Sequence, residues 1–127
     1  MSLLMALALV VHGGVHVGYA CGQSWPFAAS DPWLVTGFGA GPDTVRSVGI
    51  ALVVVIFVAY LLAALAAAGF LIPSTLFAPL IVVASVASAM LLVAFVTPWT
   101  VPFLVIDALL LWATLIQNWR PAPFFGG

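Results

Sequence analysis

Apolar positions in this chain run in long unbroken stretches, not in the alternating stripes of a water-soluble fold. A transmembrane helix needs about 20 mostly apolar residues, and four stretches meet that length: Ser2 to Ala20, Thr44 to Phe70, Ser74 to Val96 and Trp99 to Asn118. Gly69 and Pro73 break the chain between the second and third stretches. Thr97, Pro98, Trp99 and Pro102 mark the turn between the third and fourth. Both connections are short, which makes spans two to four an antiparallel series. The pattern predicts an all-α fold: a four-helix transmembrane bundle forming one domain, with residues 119–127 as a tail.

The long connection is 21–43. Asp31 followed by Pro32 reads as a helix N-cap with proline at the first helical position. A short interfacial helix is expected there, ending near Gly37 and anchored at headgroup level by Trp25 and Trp33. Asp43 is expected to cap the second span.

Polar residues inside the spans change the picture most. Asp107 lies in VPFLVIDALLLWATL, and a carboxylate at that depth turns toward protein or water, not lipid. Thr100, Asp107 and Thr114 are spaced by seven, and Asn118 follows four later, so they share one face of a helix. His12 and His16 stand four apart and share a face of the first span. Gly14 and Gly18 form a GxxxG spacing on its other side, a pattern that permits close helix approach. At a rise of about 1.5 Å per residue, His12 and Asp107 both lie about 12 Å in from the loop side. That depth predicts a buried polar column: Asp107 with His12, then His16, Tyr19 and Arg46 toward the loop. Thr100 and Thr114 extend it along the fourth span. Ala59 to Gly69 in span two, and Ser74, Ala78, Ser85, Ser88 and Ala89 in span three, read as small residues for close helix packing.

Charge then excludes some classes. The chain is 66% hydrophobic and 4% charged, with no Lys and no Glu. Such a surface has no basic patch for nucleic acid. The single cysteine, Cys21, rules out an intrachain disulfide and reads as an interfacial or membrane residue. Nothing matches GxSxG, a phosphate-binding loop or CxxC, so no enzyme is expected.

An i,i+4 histidine pair with Asp107 as a third ligand is one way to bind a metal. The ligands are few, and Gly13 stands where an HExxH motif has glutamate, so no metal or other cofactor is expected. His12, His16 and Asp107 are the residues such a site would use. Haem is disfavoured because two histidines on one helix face cannot clasp opposite faces of one ring.

The size, the four spans and the long first loop resemble the DoxX-like group of small bacterial membrane proteins. That resemblance implies the bacterial cytoplasmic membrane and the same four-helix architecture. The first span carries HGGVH where DoxX-type first helices carry a basic residue. Small multidrug exporters of this size use a glutamate in the first span, which this chain lacks. The expected function is therefore a non-enzymatic accessory or assembly subunit with a buried His/Asp column. The alternatives are a proton-coupled transporter or channel subunit using Asp107 and His12, and a membrane redox component. Expected partners are the lipid bilayer and either a second copy or a larger membrane complex. Both termini are expected in the cytoplasm.

Overall fold

The computed structural model describes residues 2–18, 37–95, 98 and 100–125. Among these residues every regular element is helical. Helix α1 is Ser2–Val17, α2 is Pro42–Ala68, α3 is Phe77–Ala94 and α4 is Thr100–Leu111. A 3₁₀ turn, Ser74–Leu76, leads into α3, and a π turn, Trp112–Ile116, continues α4. The interfacial helix expected near Pro32, with Trp25 and Trp33, lies outside the described residues. So do Tyr19, Cys21 and Trp99.

The termini of α2 follow from single residues. Proline has no N–H to leave unpaired and its fixed φ suits a helix start. The helix therefore begins at Pro42 behind an extended Gly41, with no side-chain cap. This corrects the expected cap: Asp43 sits inside the first turn, where its charge meets the positive end of the helix dipole. At the other end Gly69 adopts φ 72°. Its N–H donates to Ala66 O at 3.2 Å, and Phe70 N–H donates to Leu65 O at 3.0 Å, the paired bonds of a Schellman cap.

The tail completes that end. Phe124 N–H and Phe125 N–H both donate to Ala68 O, at 3.0 and 2.8 Å. A Cβ at residue 69 would meet Phe125 O and, at 2.7 Å, Pro123 Cβ. Gly69 is thus required both by its backbone conformation and by the chain folded against it.

Packing runs in chain order: α1 along α2, α2 along α3, α4 along α3. Small residues set the distances. Ala59, Ala63, Ala64, Ala66 and Ala67 of α2 are buried, as are Ala84, Ser85, Ala87 and Ser88 of α3. On α1 the buried face is Ser2, Ala6, Leu9, His12, Gly13 and His16. That corrects the GxxxG reading. Gly14 has open space beyond it, whereas a Cβ on Gly13 would stand 2.9 Å from Tyr60 Cβ. Among the described residues the buried stripe of α1 holds Gly13 beside the histidines, and Gly18 is buried just past the helix end.

Two helical segments, Pro42–Ala68 and Ser74–Ala94, are long and apolar enough to cross a membrane, with mean hydropathies of 3.0 and 2.5. Ser2–Val17 and Thr100–Ile116 are shorter apolar helices.

Candidate functional site

All four helices send a polar side chain to one buried point. His12 and His16 come from α1, Tyr60 from α2, Ser85 and Ser88 from α3, and Asp107 from α4; each is sealed from the exterior. The i,i+4 spacing aligns the histidines on the buried stripe of α1. Gly13, between them, lets the Tyr60 stem pass.

Asp107 is the hub. His12 Nε2 lies 2.9 Å from its Oδ1, and the Tyr60 hydroxyl donates to the same oxygen at 2.6 Å. Ser88 donates to Oδ2. Tyr60 Oη in turn lies 3.0 Å from Ser85 Oγ. Because Tyr60 spends its proton on Asp107, Ser85 is the donor of that pair. Hydrogen bonds to an ionised carboxylate are the strong ones, and a low-dielectric interior strengthens them further.

The second histidine is held from both ends. His16 Nδ1 is 2.9 Å from the His12 carbonyl oxygen. A carbonyl can only accept, so Nδ1 carries a proton. The other ring nitrogen, Nε2, lies 2.7 Å from Ser88 Oγ. The ring of Phe103 tilts over His12 at 5.7 Å and meets His16 edge-on at 6.3 Å. Tyr60 packs edge-on against His12 at 5.0 Å.

The column expected from sequence is redrawn. The structure brings together Asp107, His12 and His16. It leaves Arg46 out: that residue is exposed on the first turns of α2, and it lies fourteen residues before Tyr60, about 21 Å along the helix. Thr100 is buried but lines a cavity beside His16 instead of reaching the carboxylate. Thr114 is buried too, and its Oγ1 has no hydrogen-bond partner. Asn118 leaves the stripe: it is exposed with φ 50°, because the π turn ends the helix before its register is reached.

Three members of the cluster were not expected from sequence. Ser85 and Ser88 read as small packing residues, and Tyr60 carried no expectation. A signal for Tyr60 existed: it is the one hydroxyl-bearing residue between Gly49 and Ala68 in α2.

His12, His16 and Asp107 could each offer one ligand atom to a metal, and these atoms lie within 4.8 Å of one another. In this arrangement the Asp107 oxygens and His12 Nε2 are already engaged with each other, with Tyr60 and with Ser88. The network is closed by hydrogen bonds, so these residues are not assigned as metal ligands. No family model, curated protein or solved structure matches the chain.

Proposed function

We propose that this chain is a four-span integral protein of the bacterial cytoplasmic membrane. It would act as a non-enzymatic accessory or assembly subunit whose buried cluster fastens α1 and α4 to the α2–α3 hairpin. The observation that carries the reading is an inverted polarity. Leu4 is 72% exposed, Val11 65% and Leu109 57%, while His12 and Asp107 are 6% and 1% exposed. Water would penalise both halves of that arrangement. A bilayer favours both, because lipid solvates the apolar exterior and polar groups must find partners inside.

The two shorter helices fit with local thinning of the bilayer, at a cost of fractions of a kcal/mol per ångström of mismatch. Exposed apolar faces on every helix also offer surface to a second copy or a membrane partner.

Two measurements test the reading. Alkaline carbonate should leave the protein in the membrane pellet; release into the supernatant would sink the proposal. With Cys21 replaced by Ser, single cysteines at positions 43 and 120 should label from opposite sides of the membrane. Labelling of both from one side would remove the four-span topology. A second reading, proton coupling, is favoured by the unbroken line from His16 through Ser88 to Asp107.

A further inference from the structure

The cluster needs one more proton than its residues ordinarily bring. Among the described residues its hydrogen bonds are six: His12 with Asp107, His16 with the His12 carbonyl, Ser85 with Tyr60, Tyr60 with Asp107, Ser88 with His16 and Ser88 with Asp107. Each needs a hydrogen between its two heavy atoms. Neutral His12, neutral His16, Tyr60, Ser85 and Ser88 bring one apiece, and an ionised carboxylate brings none. That makes five. The shortfall has one location. His16 has committed its Nδ1 proton to the His12 carbonyl, so its Nε2 presents a lone pair to Ser88. Ser88 has a single proton and two neighbours that both want it.

We propose that the cluster binds a sixth, exchangeable proton, shared along His16, Ser88 and Asp107. Only two placements satisfy every bond. In one, His16 Nε2 is protonated and donates to Ser88 Oγ, and Ser88 donates to an ionised Asp107. In the other, Asp107 Oδ2 carries the proton and donates to Ser88 Oγ, and Ser88 donates to a neutral His16 Nε2. The forms interconvert as the Nε2 proton moves to Ser88 while the Ser88 proton moves to Oδ2. The imidazolium becomes imidazole and the carboxylate becomes a carboxylic acid. No electron is transferred, and the cluster is neutral overall in both forms.

Neutrality supplies the second argument. With five protons the cluster would carry a net negative charge in an apolar interior, which is costly without a compensating cation. The titratable groups facing this line are His12 from α1 and Tyr60 from α2. Among the described residues of α3, only serine hydroxyls face it. The inference rests on the membrane reading for this electrostatic argument, not for the hydrogen count.

Among the described residues, the line is approached from the His16 end. A cavity of about 20 Å³ lies beside His16, lined by Leu91, Leu92, Thr100 and Phe103 among others. It has the volume of about one water, and His16 and Thr100 are the polar side chains in its otherwise apolar wall. It sits where α1 and α3 finish and α4 begins, and it touches His16 but neither His12 nor Asp107. In the other direction the chain of bonds among the described residues ends at Tyr60 and Ser85. Among the described residues this makes His16 the entry and Asp107 the terminus of a proton-loading site.

The test is nuclear magnetic resonance on protein labelled at histidine ring nitrogens and aspartate carboxyls, held in lipid nanodiscs at neutral pH. Asp107→Asn identifies the Asp107 signal. The expected result is either His16 protonated on both nitrogens or Asp107 protonated, with the two forms exchanging. Ser88→Ala should slow that exchange by about a hundredfold, and Ser88→Thr, which keeps the hydroxyl, should restore it. Finding His16 with Nδ1–H only beside an ionised Asp107 would overturn the proposal, and it needs no variant. So would wild-type exchange in Ser88→Ala, or one equivalent of tightly held transition metal in the proton's place. Carbonate extraction addresses the membrane reading separately, so the two can fail independently.

Discussion

Asp107 and Thr114 lie two turns apart on one stripe of α4, and each is almost wholly buried, at 1% and 2% exposure. They end up in opposite circumstances. Asp107 collects three side-chain partners, while the Thr114 hydroxyl has none. The difference lies in the neighbours at each depth. Around Asp107 the other helices present His12, Tyr60 and Ser88. The π turn that holds Thr114 packs on α3, whose first turns bury the apolar Phe77 and Ile81. Periodicity says which way a side chain points; only the other helices decide whether it is met.

The largest expected effect breaks the satisfied end. Asp107→Leu leaves His12, Tyr60 and Ser88 without their common acceptor. Each buried donor left unsatisfied costs about 1–3 kcal/mol, and three are orphaned together, so this variant should unfold in mild detergent. Asp107→Asn should behave differently. Its carbonyl can accept from Tyr60 and His12, and its NH₂ can donate to Ser88, which then donates to His16. The amide reproduces the protonated-acid form bond for bond, and the expected cost is under about 1 kcal/mol. Thermal unfolding in detergent separates the two variants. Equal loss in both would mean that the charge itself, not the bond pattern, holds the cluster.

A contrast of the same kind exists on α1. Gly13→Ala drives a Cβ to 2.9 Å from Tyr60 Cβ, backbone-tethered atoms that cannot swing aside. Overpacking of this sort costs about 1–3 kcal/mol, and it should also pull Tyr60 away from Asp107. Gly14→Ala meets open space and should gain up to about 1 kcal/mol of helix propensity. If the two variants shift the unfolding midpoint in the same direction, α1 is rotated from the placement described.

How much of this was legible follows from what each feature depends on. The depth match of His12 and Asp107 needs only helical rise and two span boundaries, both readable from apolar run lengths. The burial of Thr100, Asp107 and Thr114 needs only their spacing of seven. Ser85 and Ser88 were visible as residues but not as donors, because their role depends on how α3 is rotated against α4. Tyr60 needed the glycine at position 13 to be recognised as space for its stem. Arg46 falls outside the cluster because depth along a helix does not say which way a side chain turns or what it meets. The tail was opaque for another reason: its bonds to Ala68 O run from backbone N–H groups, which no side-chain pattern encodes.

The smallest expected effect sharpens the comparison from the unsatisfied end. Thr114→Val replaces a hydroxyl with a methyl of nearly the same shape. In most buried sites that swap loses a hydrogen bond. Here the hydroxyl makes none, so the variant removes only an unpaired polar group. Relief of such a group is worth about 1 kcal/mol or somewhat more. Thr114→Val should therefore be as stable as the parent or slightly more so. Thr100→Val serves as the reference, since Thr100 stands on the same stripe, takes part in a further interaction and has no unsatisfied buried hydroxyl. It should lose stability where Thr114→Val does not. A clear loss at Thr114 would reveal a bond to its hydroxyl from a group beyond the described residues, and the two ends of the stripe would then differ in the identity of their partners instead of in having them.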